Sequence, residues 1–389
     1  MASVWLHSAL WLGLALLASL ISIRIAVSVA LIEIVVGAVA GNLIALQIAD
    51  WVNFLAGFGA ILLTFLAGTE IDPRIVRKHF WSSMTIGVMG FVAPYLGVLA
   101  YAHWGIGWDW SQAQIAGIAL STTSVAVVYA VMIETGFNRT EIGKIILAAC
   151  FINDLGTVLA LGIVFAHYDR RLLLFGAVTA AVLIILARYA PWMFQRLGAR
   201  VSEPQTKFVA LILLGLGGLA SIAGSEAVLP AYLVGMALAP TFLSVPELPH
   251  RMRIIAFSIL TPFYFLKAGS LVQAHAVSAA FGLIVIFLGI KMATKFLGIL
   301  PLTVYHEFDS REGMYTTLLM STGLTFGSIS ALFGLTNGII NQGQYTILVT
   351  AVIGSAVVPT LIAQRWFQPK FKPIAAGVEE AEAVAGEEP

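Results

Sequence analysis

From Val4 to Ile25 the chain reads VWLHSALWLGLALLASLISIRI, and runs of the same kind recur almost to its end. Each is about twenty residues long, the length an α-helix needs to cross a bilayer core of about 30 Å. Inside that core no water satisfies a backbone N–H or C=O, so only helices or closed barrels span it. The runs are continuous, whereas a membrane strand would alternate apolar and polar residues over about ten positions. An all-α polytopic membrane protein is therefore the expected fold. Composition agrees: 59% of the 389 residues are hydrophobic and 11% are charged, against about 25% charged in soluble domains. The first run lacks the basic n-region and clear cleavage site of a signal peptide, and reads as a spanning helix.

About thirteen spans fit the pattern: 4–23, 29–48, 52–70, 81–102, 112–134, 142–166, 171–189, 207–224, 227–243, 253–270, 276–298, 313–333 and 340–361. Basic residues test the count. With the N-terminus outside, sixteen of the 21 Lys and Arg fall on the inner side: Arg24, Arg74, Arg77, Lys78, Arg139, Lys144, Arg188, Arg196, Arg200, Lys207, Arg251, Arg253, Arg311, Arg365, Lys370 and Lys372. The outer loops hold Arg170 and Arg171. Cytoplasmic loops carry such an excess, so the expectation is an inner (plasma) membrane protein, N-terminus outside and C-terminus cytoplasmic. The stretch 368–389 is polar, acidic and rich in Ala, Gly and Pro, a disordered tail by composition. The membrane domain is then 1–367. NRT (138–140) matches a glycosylation sequon but sits in an inner loop, where it has no such role. One cysteine, Cys150, excludes an intramolecular disulfide or a thiolate metal cluster. A net charge of +1 points to no nucleic-acid partner, and nothing calls for a cofactor.

An odd span count suggests two inverted repeats, 4–166 and 207–361, joined by a linker helix at 171–189. The fifth span carries STTSVAVVYA (121–130) and the twelfth STGLTFGSISALFG (321–334). Hydroxyls and helix breakers thus gather mid-membrane at equivalent positions of the two halves. Ser, Thr and Gly also serve plain helix packing, but matched interruptions point to crossed broken helices around an ion site.

The sixth span carries FINDLG (151–156). A charge on Asp154, halfway through it, costs a few kcal/mol unless it is neutralised, paired or wetted. A buried carboxyl takes a proton more readily than an exposed one. One such group can hold a proton or a small cation, but not both, and that exclusion suffices for antiport. A helix–helix hydrogen bond is the structural alternative. Asn153 cannot titrate but can orient hydroxyl or backbone partners on another helix. Thr122, Thr123 and Ser124 could offer neutral oxygens to a desolvated cation. Lys267, Lys291 and Lys295 fall within or near span ends, as do the acidic Glu33, Glu70 and Glu226. Periodicity alone has Lys295 snorkelling to the interface, and leaves Lys267 and Lys291 open between snorkelling and function.

These residues resemble the monovalent cation:proton antiporters, most closely the bacterial branch of sodium/proton and potassium-efflux-like exchangers. The likeness runs over almost the whole chain, through IEIVVGAVAGNLI (32–44), LLTFLAGTEID (62–72), STTSVAV (121–127), CFINDLG (150–156), KFLG (295–298) and AVVPTLIA (356–363). The resemblance implies a homodimer with a mobile, elevator-like domain, and Asp154 carrying the exchanged Na+ or K+ or the proton. It implies that Thr123 and its neighbours line the crossing. It also implies that Lys295, not a snorkelling side chain, is the functional lysine, with Lys291 a rival. Glu70 is structural or entrance-forming. Asn153 stands where many electrogenic relatives have a second aspartate, which favours electroneutral exchange, although the retained lysine speaks for an electrogenic cycle. A long nucleotide-binding tail of the kind many potassium-efflux members carry is not expected. The expected function is antiport of a monovalent cation, Na+ favoured and K+ possible, against H+. An ion-coupled organic solute symporter is the rival class, and an enzyme is not expected.

Overall fold

The computed structural model describes residues 2–25, 29–44, 46–69, 79–135, 137, 140–165, 170–197, 202–223, 227–244 and 247–369. Glu70, Glu226, Arg74, Arg77, Lys78, Asn138, Arg139, Arg200 and the tail from Lys370, which carry sequence-based expectations, lie outside these. The elements are helical throughout: α1 (Ala2–Ile25), α2 (Val29–Ile44), α3 (Asp50–Thr69), α4 (Phe80–Ala100), α5 (Trp110–Ser121), α6 (Val125–Thr135), α7 (Glu141–Val164), α8 (Arg170–Leu197) and α9 (Pro204–Ile222). After these come α10 (Val228–Ser244), α11 (Glu247–Ile255), α12 (Thr261–Ser270), α13 (Ala274–Ala279), α14 (Phe281–Tyr305), α15 (Ser310–Met320), α16 (Thr325–Thr336) and α17 (Gln342–Ile362). Among the described residues, ten helical stretches are long and apolar enough to cross a membrane, and α2 and α10 are shorter apolar helices. The fold is thus an all-α polytopic membrane protein.

Two boundaries differ from the sequence reading. The helix expected at 171–189 runs from Arg170 to Leu197, because Pro191 is accommodated inside it. The span expected at 276–298 is displaced to Phe281–Tyr305. Leu300, Leu302 and Val304 continue its apolar run past Pro301, while Ala274–Ala279 forms a separate short helix.

The helices sort into two packed groups. In one, α2 lies on α12, α3 on α10, and α1, α8 and α9 pack outside them. In the other, α4 lies on α5, α7 and α14, and α14 lies on α15 and α17. Small residues set the directions. Gly37 meets Leu266 and Gly41 meets Ser270, so α2 and α12 run parallel. Gly87 meets Ala149 and Ile152, and Gly156 meets Phe91, so α4 and α7 also run parallel. Gly97 meets Thr294 and Gly298 meets Ala93, so α4 and α14 run antiparallel. Without a hydrophobic driving force between helices in lipid, such close backbone approach is what holds them together.

A register of 200 residues links the two halves of the second group. Gly107 (φ 72°) and Glu307 (φ 61°) are both left-handed turn residues. Two residues on, Asp109 and Asp309 cap α5 and α15 in capping boxes closed by Gln112 and Glu312. Each capped helix then stops after about three turns, at Ser121 and Met320. A helix restarts at Val125 and at Thr325. Such local agreement is suggestive of internal repeats.

Candidate ion site at two helix breaks

The break after α5 is the run Ser121-Thr122-Thr123-Ser124, and the break after α15 is Ser321-Thr322-Gly323-Leu324. Hydroxyl side chains offer the backbone alternatives to the helical ladder, which is why short Ser/Thr runs interrupt it. Ser121 and Thr122 hydroxyls donate back to Ile118 O and Ala119 O at 2.9 and 3.1 Å. Thr322 does the same to Leu319 O at 2.8 Å. Ser124 Oγ accepts from Val127 N at 3.4 Å and starts α6. Thr122 and Ser124 hydroxyls therefore serve their own helix ends.

The two breaks touch. Thr123 Oγ1 donates to Met320 O, the last residue of α15, at 2.9 Å, and Ser124 N reaches Thr322 Oγ1 at 3.5 Å. At this level α5 and α15 present C-terminal carbonyls, of negative partial charge, and α6 and α16 present N-terminal amides, of positive partial charge. Groups from three whole helices complement them. Asn153 of α7 accepts from Thr123 N at 2.9 Å and faces Ser121 O with its amide nitrogen at 3.4 Å. Lys291 of α14 donates to Thr122 O at 3.2 Å and to Ser355 Oγ of α17 at 2.9 Å. One turn later, Lys295 donates to Thr123 Oγ1 at 3.1 Å.

Asp154 follows Asn153 on α7, is 1% exposed, and interacts electrostatically with Lys295. Asn153, Thr122, Thr123, Ser124, Lys291 and Lys295 are fully buried. These seven of the residues singled out from the sequence thus gather at one level of the bundle. The snorkelling reading of Lys295 fails, because its ammonium points into the crossing rather than towards an interface. Lys291 also faces inwards and makes contacts of its own. Lys267 lies apart from them: it lines a separate cavity of 230 Å³ between α3, α10, α12 and α16, with Tyr264, Ile329 and Phe333. Glu33 is buried where α2 packs. Ser355, Gly323 and Thr322 were not singled out from the sequence. The run 321–334 that holds Thr322 and Gly323 was marked from the sequence as a break, but not these residues one by one, and Ser355 looks like any packing serine.

A helical membrane protein with a carboxylate and two ammonium groups at the junction of two broken helices has the build of a secondary transporter. The chain belongs to the sodium/hydrogen exchanger family, whose transmembrane region it matches over residues 12–368. It is 25% identical over 352 residues to the probable Na(+)/H(+) antiporter 3 of Methanocaldococcus jannaschii, covering 86% of this chain and 88% of that one. It is 22% identical to the Na(+)/H(+)-K(+) antiporter GerN of Bacillus cereus, covering 92% and 94%. The solved structure of the sodium proton antiporter MjNhaP1 from M. jannaschii at pH 8 superposes with a TM-score of 0.70 at 13% identity, over 93% of this chain and 98% of that one. The protein is a secondary active antiporter of a monovalent cation and protons, a class of transporters rather than enzymes.

Proposed function

We propose that this antiporter exchanges one Na+ or K+ for one proton, with Asp154 binding either in turn. The observation that carries this reading is the burial of Asp154 in the bundle level where backbone and hydroxyl groups of two helix breaks meet. A carboxylate is the one acidic group there among the described residues, so proton and cation compete for it. The names of the two sequence relatives speak for Na+, and that of GerN leaves K+ open.

Movement follows from the two helix groups. The crossing lies in the group of α4–α7 and α14–α17, and α1–α3 with α8–α12 form the other. Sliding of the first group against the second, in an elevator cycle, carries Asp154 from one side to the other. Thirteen spans, two inverted repeats (4–166 and 207–361) and a homodimer complete the proposal. The antiparallel pairing of α4 with α14 supports the inversion. Large apolar side chains exposed along α1 and α8, such as Leu16, Leu20, Leu174 and Ile184, offer surface for lipid and for a second copy.

The test is Asp154→Asn in proteoliposomes. The variant keeps the shape and loses the titratable group, so cation-driven proton movement should vanish from a protein that still folds. The wild type should need more cation for half-maximal exchange as pH falls. Substantial exchange by a well-folded Asp154→Asn would place the carrier elsewhere.

A further inference from the structure

Lys291 has no part in the cycle proposed above, yet it is as deeply buried as Lys295. Its ammonium sits between Thr122 O at 3.2 Å and Ser355 Oγ at 2.9 Å. Ser355 Oγ donates to Val352 O of its own helix at 2.8 Å and lies 3.3 Å from Gly323 O. Gly323 has no side chain for a physical reason: a Cβ there would stand 2.3 Å from Lys291 Nζ and 2.8 Å from Thr122 Oγ1. The ammonium occupies the space a side chain at 323 would fill. Its mate in the 200-residue register, Thr123, does carry a side chain, and that one receives Lys295.

The helices flanking the breaks correspond as well, at an offset of 201 residues. α7 is capped by Thr140 and α17 by Asn341. Asp154 and Ser355 each lie fourteen residues after their cap. Ser355 therefore stands where a second carboxylate would stand if the crossing were symmetric. What remains there is a set of oxygens beside a helix C-terminus, a place that favours positive charge, with a cation already in it.

We propose that Lys291 is a tethered cation: its ammonium permanently fills a second cation position of the crossing, built by Thr122 O and Ser355 Oγ. This leaves one position, at Asp154, open to the exchanged ion. Only the word exchanged rests on the function proposed above. The filled position stands on its own contacts and can be tested without transport.

Lys291→Ala empties the position. In detergent, at fixed pH and ionic strength, the purified variant should unfold at lower temperature than the wild type. Methylammonium, a primary ammonium with the donors that were lost, should restore it towards the wild-type value and leave the wild type unmoved. Tetramethylammonium, with no N–H, should do nothing. Adding Gly323→Ala to Lys291→Ala places a methyl group in the vacated space and should abolish the rescue. A folded Lys291→Ala that methylammonium does not stabilise beyond tetramethylammonium overturns the proposal. Should Lys291→Ala not fold, Lys291→Gln decides, since it keeps hydrogen-bond donors on a side chain one atom shorter and removes the charge. Removing a positive charge one turn from Lys295, the group that interacts with Asp154, should lower the half-saturating cation concentration several-fold. An unchanged value would mean that Lys291 only ties helices together. Loss of the Asp154 assignment alone would leave the methylammonium effect intact, so the two readings fail separately.

Discussion

Asn153 does with one amide what a whole helix turn would otherwise do. The break after α5 leaves Thr123 N without its intrahelical acceptor, and Asn153 Oδ1 supplies one at 2.9 Å. A buried donor stripped of its partner costs about 1–3 kcal/mol, and membrane interiors bring the net loss towards the lower end because partners re-form there. Asn153→Ala should therefore destabilise the protein by about 1 kcal/mol or more, while Asn153→Asp, which keeps the acceptor, should lose less. Thermal unfolding of the purified variants checks this, and an Ala variant as stable as the Asp variant would remove Asn153 from the break. This contact of Asn153 was legible in advance, since an amide that cannot titrate can orient backbone partners on another helix. The division of labour between Lys291 and Lys295 was not. Both lie on one face of α14, one turn apart, and which oxygen each finds depends on how α5 and α17 cross it.

At the scale of elements, helix direction is the strongest constraint. α4 and α7 run parallel, so the interrupted pair α5–α6 must return across the membrane between them. The start of α5 then lies on the side where α4 ends, opposite the start of α7. Single cysteines at Ser111 and at Lys144, in a background with Cys150 replaced by Ala, should label from opposite faces of oriented vesicles with an impermeant reagent. Ser111 should react from outside and Lys144 from inside, and labelling from one face would break the proposed topology. The spans themselves were legible from apolar length, because lipid tolerates little else. The breaks were legible from clustered hydroxyls and glycines. The start of α14 was not, since Val277 and Ala279 are as apolar as the helix that follows, and the Ala274–Ala279 turn is set off from it only by Ala280. The capping boxes at Asp109 and Asp309 were visible in the sequence, but their 200-residue spacing gains meaning only once both are seen to open broken helices.

For the molecule as a whole, charge balance decides what can drive it. In the crossing, Lys295 is held by Thr123 Oγ1 at 3.1 Å, and that hydroxyl gives its own proton to Met320 O. Lys295 thus has an anchor that does not depend on Asp154, and Lys291 is tied to Ser355 and Thr122. Suppose both ammonium groups keep their charge whether Asp154 holds a proton or a cation. The loaded site then carries the same charge in either direction of travel, and one-for-one exchange moves no net charge. If Lys295 instead released its proton on cation binding, two protons would move per cation. Each 100 mV would then contribute about 2.3 kcal/mol, roughly a fifty-fold change in the limiting ion ratio. We expect the first behaviour. In proteoliposomes, initial proton flux should not change between zero and an imposed potential, and solid-supported membrane recording should show no sustained current. A steady current reversing at the potential of a two-to-one ratio would show that Lys295 is a second proton carrier. Running the assay with Na+ and K+ in turn would also show which ion the Asp154 site prefers.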